Sequence, residues 1–177
     1  DNGRVVEKRY LDATGYAVAR YENFHGLSYE YDETSTVITY LDVEGNPIIR
    51  SDGYSTIVRT QVDGRAYDDF FYDLNGQQVQ CSGGYYGLRR GYNAEGQDIS
   101  LAFLDKDGHA VCTSSGYAIM TYQRDMNGTV VGKQYFDTDG NPVRSSLGKY
   151  GEFYQRNEQG YTGQITYLDA DGNPAPT

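Results

Sequence analysis

The chain has 177 residues but no tryptophan, two cysteines, two histidines, two methionines and four prolines. Cys81 and Cys112 are too few for a disulfide scaffold and lack the spacing of metal ligands. They fall in neighbouring copies of the repeat described below, one position out of step, so a bridge between them stays open. With only His25 and His109 available, no Ser, Cys or Asp is spaced to form a nucleophile–base set, and no enzyme activity is expected. No apolar run approaches the ~20 residues of a membrane-crossing helix, so no membrane insertion is expected. Basic residues are also scarce: 15 Lys and Arg against 25 Asp and Glu leave a net charge of −10. That balance disfavours nucleic-acid backbones and anionic membrane surfaces, and permits neutral or cationic partners such as glycans.

What the chain has instead is 19 tyrosines and 22 glycines, a mixture suited to short strands joined by tight turns. They recur with a period. The phrase "QYFDTDGNPV" at 134–143 returns as "TYLDADGNPA" at 166–175 and "TYLDVEGNPI" at 39–48. Weaker copies are "RYLDATGYAV", "FFYDLNGQQV" and "AFLDKDGHAV". The leading aromatics are Tyr10, Tyr40, Phe71, Phe103, Tyr135 and Tyr167, spaced 30 to 32 residues apart. Each is followed by a D-x-x-G corner: Asp12 and Gly15, Asp42 and Gly45, Asp73 and Gly76, Asp105 and Gly108, Asp137 and Gly140, Asp169 and Gly172. A second mark stands eight residues later, at Gly53-Tyr54, Gly84-Tyr85, Gly116-Tyr117 and, degenerately, Gly148-Lys149. Asn23-Phe24 fills that place in the first copy, Asn being the other residue that tolerates a left-handed backbone. A third mark is the turn glycine before the motif, at Gly64, Gly96, Gly128 and Gly160.

D-x-x-G specifies a turn. The carboxylate accepts a backbone N–H two residues on, and the glycine takes the positive φ that closes a type I turn with a bulge. Apolar residues line up in columns, one of them Leu11, Leu41, Tyr72, Leu104, Phe136 and Leu168, another Val18, Ile48, Val79, Val111, Val143 and Ala175. No stretch keeps a 3.6-residue apolar period. Since a lone hairpin is marginal in water, the copies must bury these columns against one another. The expected fold is all-β, an elongated array of about five stacked ~32-residue hairpin repeats, either a solenoid or a twisted meander. It forms a single domain over 1–177, with units near 3–34, 35–63, 64–95, 96–127 and 128–159 and a partial unit at 160–177. "NGRVVEKRYLD" from Asn2 aligns without gaps on "NGTVVGKQYFD" from Asn127, so the segment is expected to be cut in mid-repeat at both ends, with other domains in a parent chain.

The "QYFDTDGNPV" phrase resembles the aromatic-Asp-x-x-Gly hairpin of bacterial cell-wall and glucan-binding repeats, the choline-binding group. The periodic Tyr-Asp and Gly-Tyr pattern is similar to tyrosine-aspartate and tryptophan-glycine repeat families. The resemblance implies an extended β array on an extracellular or cell-surface bacterial protein, with ligands held by aromatic rings of neighbouring hairpins. This unit is longer than the choline-binding hairpin and has no Trp, so it implies polysaccharide stacking on Tyr more than choline capture.

The "DKDG", "DTDG" and "DADG" corners look like half of an EF-hand loop, yet position twelve from Asp105 and Asp137 is Gly116 and Gly148, where a bidentate Glu is needed. The Asp is therefore expected to cap the turn, with no metal and no cofactor. Asp68 and Asp69 should point to opposite faces of a strand, so they do not converge as a hydrolytic pair. The tyrosines remain. Tyr54, Tyr85 and Tyr117 form one column and Tyr29, Tyr122 and Tyr154 another, divided between core and ligand surface; Tyr85, Tyr117, Tyr122 and Tyr154 are the candidate glycan-binding residues. The expected function is a non-catalytic module binding a glycan or cell-wall polymer; the rivals are a spacer or protein-interaction scaffold and an accessory domain of a larger enzyme.

Overall fold

A computed structural model of the chain describes residues 3–19, 23–157 and 159–175; Asn2, where the N-terminal repeat register begins, lies outside them. The fold is all-β, with no α-helix among the described residues. Two compact units are formed, Asp1–Gly87 and Leu88–Thr177. The strands of the first are β1 (Glu7–Arg9), β2 (Gly26–Tyr31), β3 (Ser35–Leu41), β4 (Thr56–Val62) and β5 (Arg65–Tyr72), hydrogen-bonded in chain order. The second contains β6 (Gly87–Tyr92), which begins at the last residue of the first unit, then β7 (Asp98–Leu104), β8 (Ile119–Arg124), β9 (Val130–Phe136), β10 (Gly151–Arg156) and β11 (Thr162–Leu168), again paired in order. The pairing is antiparallel, as short hairpin connections require.

The turn chemistry is local and recurs at the corners, Asp42 alone taking the Asn46 N–H and side-chain amide in place of two backbone N–H groups. Asp137 Oδ1 accepts the backbone N–H of Asp139 at 2.9 Å and of Asn141 at 2.8 Å. Gly140 N donates to the Asp137 carbonyl, and Gly140 stands at φ 83°. Asp12, Asp73, Asp105 and Asp169 make the same pair of bonds. These carboxylates are therefore spent on their own turns. The second mark has the same backbone form with Arg50, Cys81, Thr113 or Ser145 in the first place, and Asn23 takes φ 64° as its position demands. The third mark reuses the side-chain cap: Asn93, Asp125 and Asn157 accept from Gln97, Thr129 and Tyr161. Between Val62 and Arg65 the tip is a two-residue loop, Asp63-Gly64, with both φ positive, the type I′ turn that suits strand twist.

Prolines at the corners cost no hydrogen bond. Pro47, Pro142 and Pro174 lie opposite Leu41, Phe136 and Leu168, and the bonds are made by their neighbours: Asn46 O accepts from Asp42 N, and Ile48 N donates to Tyr40 O. All six motif aromatics accept from the residue three after the corner glycine, at 2.8–3.0 Å. Five of them, Tyr10, Tyr40, Phe71, Phe103 and Tyr135, also donate their N–H to the strand that follows.

Each motif aromatic shares its sheet face with the second-mark rings. In the first unit they form a ladder, Tyr10, Phe24, Tyr40, Tyr54, Phe71 and Tyr85, with centroids 4.3–5.9 Å apart. Tyr40, Tyr54 and Phe71 are buried there with Ile38 and Ile57. Phe103, Tyr117 and Tyr135 continue the pattern in the second unit at 5.8 and 4.4 Å. Lys149, in the aromatic's place, sets its Nζ 3.2 Å from the Tyr167 ring centroid, so a cation–π contact replaces a ring–ring one. On the opposite face Leu41, Leu104 and Leu168 are buried beside the returning corner, while Leu11 of the same column is exposed.

Candidate functional site

Strand register places the polar groups of the second unit. Tyr122 of β8 lies opposite Lys133 of β9, which lies opposite Glu152 of β10; Glu152 in turn faces Tyr167, and Tyr154 faces Ile165, both of β11. Alternation then puts Tyr122, Lys133, Tyr135, Glu152 and Tyr154 on one face, the face of the aromatic ladder. Glu152 is the unusual member. The matching partners of Tyr40, Phe71 and Tyr135 are Leu27, Ile57 and Met120, so a carboxylate stands where other repeats place an aliphatic side chain.

That carboxylate is held on several sides. Tyr154 donates its hydroxyl to Glu152 Oε2 at 2.9 Å, Tyr135 donates to Oε1 at 3.5 Å, and Lys133 Nζ lies 3.5 Å from Oε2. The Lys133 ammonium also sits 5.8 Å and 6.0 Å from the Tyr135 and Tyr154 ring centroids. Burial opposes the charge on Lys133, yet hydrogen bonding with Tyr154 and Tyr135 outweighs it and moves the ammonium's pKa upward. Burial pushes the Tyr135 hydroxyl up to about 12, and Tyr122 and Tyr154 move in the same direction for the same leading cause. At neutral pH the patch therefore combines neutral phenols, one ammonium and one carboxylate. Such a set can stack on a sugar ring and exchange hydrogen bonds with its hydroxyls.

Of the candidate tyrosines, Tyr122 and Tyr154 lie on this patch, half-buried. Tyr117 adjoins it through Tyr135, stacked at 4.4 Å with 25° between the rings. Tyr85 belongs to the first unit, where its ring lies on Phe71 and burial raises its pKa. Two grooves indent the units away from these four tyrosines. One, of about 470 Å³, is lined by Val37, Thr39, Pro47, Thr56, Val58 and Tyr72, on the face away from the ladder. Another, of about 370 Å³, lies between Phe153, Gln155, Thr166, Leu168 and Pro174, also on the reverse face.

The other sequence candidates are placed as follows. Asp69 is buried and bound in a two-bond ion pair to Arg59, at 2.7 and 2.8 Å. Its neighbour Asp68 alternates to the other face, so the two carboxylates do not converge. His109 is exposed, with Nδ1 3.7 Å from its own corner's Asp105. Both cysteines are free thiols, Cys81 buried and Cys112 exposed. Among the described residues no three His, Cys, Asp or Glu side chains gather as a metal-binding set.

Lys133 and Glu152 were missed by sequence reasoning. A signal existed: Glu152 interrupts a column that is otherwise Leu27, Ile57 and Met120. The column can be read from the sequence, each member standing three residues past the second mark, and the register adds that it faces the motif aromatic. Against protein-family models and against curated proteins, the chain finds no match in either.

Proposed function

We propose that the chain is a non-catalytic repeat module that binds a glycan or cell-wall polymer, carried on an extracellular or surface-associated bacterial protein. In this reading the hairpins form an extended array of about five stacked repeats, and weak binding at each gains strength from repetition. The observation that carries it is Glu152. A half-buried carboxylate in an apolar column lowers stability unless its partners compensate, and it is surrounded by the tyrosine hydroxyls and ammonium that recognise a hydroxylated ligand.

The test is a glycan and wall-polymer array on the intact chain, followed by titration of any binder. Tyr122→Ala should weaken binding about tenfold or more while the melting temperature stays near that of the parent, since stacking on one ring contributes roughly 1–2 kcal/mol. Binding should change little with salt, because a neutral sugar releases no counterions. Absence of binding at millimolar glycan would defeat the reading.

One observation favours a second reading. Tyr54 and Tyr117 pack between motif aromatics, as a structural spacer would use them. A sharp loss of stability in Tyr122→Ala would extend that role to the candidate site.

A further inference from the structure

The groove of about 470 Å³ on the reverse face of the first unit lies between one corner and the next. Its size is that of sites that hold small ligands, and the strands that form it, β3, β4 and β5, are interior to the pairing order. Register builds its floor from two rows. Thr39, Thr56 and Tyr72 stand opposite one another across the three strands, and Val37 pairs with Val58 beside them. Exposed Pro47 of one corner and exposed Leu74 of the next border it.

The row beside the corners is chemically distinct. Thr39, Ser55, Thr56 and Tyr72 all carry hydroxyls, and all line the groove. The same four positions in the second unit are Ala102, Ala118, Ile119 and Phe136, paired in the same register and without a polar side-chain atom. Apolar residues therefore satisfy the fold at these positions. The Thr39 and Thr56 hydroxyl oxygens lie 3.3 Å apart, one donating to the other. That bond leaves one O–H and several lone pairs of the two without a further partner among the described residues. Asp73 is the charged side chain of the lining, and among the described residues no Lys, Arg or His lines the groove. Its Oδ1 serves the corner N–H groups of Asn75 and Gln77, which leaves a carboxylate with acceptor sites to spare.

We propose that this groove is a saccharide site of its own, taking one neutral disaccharide across β3, β4 and β5. The proposal rests on the glycan reading and adds a site that the Tyr122 patch does not include. The Thr39–Thr56–Tyr72 row covers two strand spacings, about 10 Å, the length of a disaccharide. The sugar's hydroxyls exchange bonds with Thr39, Thr56 and the Asp73 carboxylate, and its C–H faces lie against Tyr72, Val58 and Leu74. With a carboxylate in the lining and no cation to offset it, acidic polymers are turned away.

Backbone NMR of the intact chain, titrated with cellobiose, maltose, N,N′-diacetylchitobiose and digalacturonate, tests this. At least one neutral disaccharide should move the Thr39, Thr56 and Tyr72 signals saturably, and digalacturonate should leave them in place. Thr56→Val keeps the side chain's shape and removes its hydroxyl; it should weaken binding at these signals roughly fivefold. Tyr72→Leu places there the residue that Leu41 and Leu104 supply to the same column, and should weaken it about tenfold or more. Circular dichroism melts of both variants should stay near the parent. Shifts confined to Tyr122, Lys133 and Tyr154 overturn this site and leave the glycan reading standing. Groove binding indifferent to both variants, or equally strong with digalacturonate, also overturns it. No shift anywhere with any neutral disaccharide defeats the glycan reading and this site with it.

Discussion

At the scale of single residues, the corner aspartates do most to specify the fold. Asp12, Asp73, Asp105, Asp137 and Asp169 each spend one carboxylate oxygen on two backbone N–H groups, and the tip turns show that charge is not what the turn needs. Asn93 and Asn157 fill the same place and accept the same bond through an amide oxygen, at 2.9 and 3.0 Å. Asp137→Asn should therefore keep the melting temperature near the parent value at neutral pH, while Asp137→Ala, which removes both bonds, should lower it measurably. Acid separates the two polar caps. The N–H of Gln77, His109 and Asn141 holds the carboxyls of Asp73, Asp105 and Asp137 below their ordinary pKa. A pKa lowered by folding gives stability that is complete above the unfolded value, about 4, and is lost as pH falls through the folded one. Thermal melts should show that loss below about pH 4, with a smaller loss in Asp137→Asn. An equal acid response in both would show that the corner carboxyls do not set it. Gly140→Val tests the backbone: a β-branched residue at φ 83° should cost on the order of 1–2 kcal/mol or more.

At the scale of elements, the turns were legible in the sequence and the strand faces were legible only in part. Turn chemistry acts within five residues, so D-x-x-G, the Asn23 substitution and the corner prolines could all be read from adjacent letters. Register could not. The Asp63-Gly64 tip differs from the Asx-capped tips at 93–96, 125–128 and 157–160, and irregularities in β4, β8 and β10 shift the pairing near the tips. Such a shift changes which side chains share a face, which is why Lys133 and Glu152 could not be joined to Tyr122 and Tyr154 beforehand. Close strand approach was equally hidden. A Cβ at Gly151 would lie 2.4 Å from the Lys133 carbonyl and 3.1 Å from the Gln134 Cα. Gly151→Ala should therefore displace β10 from β9 and lower stability, although Gly151 has no positive φ and lies outside every turn motif. Leu104→Ala, at a fully buried side chain of the reverse face, should cost roughly 2–5 kcal/mol. Chemical denaturation of the two variants checks both; a Gly151→Ala protein as stable as the parent would mean that the strands separate more easily than their packing implies.

At the scale of the whole molecule, the scarcity of aliphatic residues has a consequence for alkaline stability. Tyr40, Tyr54 and Tyr135 are buried in the core, and a phenol packs as an apolar ring only while it keeps its proton. Burial is the leading cause of the upward shift at Tyr40, Tyr54, Tyr85 and Tyr135, with the hydroxyl of Tyr135 reaching about 12. These groups lie in both units, so the effect belongs to the chain and not to one site. A tyrosine whose folded pKa exceeds its unfolded value, about 10, stabilises the fold fully below that value. The stabilisation is lost progressively as pH rises from about 10 through the folded pKa. Arg50 opposes the loss locally: its Nη1 donates to the Tyr40 and Tyr54 hydroxyls at 2.7 and 2.9 Å, and it would also stabilise their ionised forms. The expected titration has two stages. A phenol in water ionises at about pH 10 with a spectral change that leaves circular dichroism intact, and that is the first stage. The ladder tyrosines should ionise later, together with loss of the β signal, because they must leave the core to do so. Tyr135→Phe, which keeps the ring and removes the proton, should move the second stage to higher pH if its hydroxyl's bond to Glu152 contributes little. A single stage near pH 10 for all tyrosines, with the fold retained, would show that the ladder is open to solvent and does not form the core.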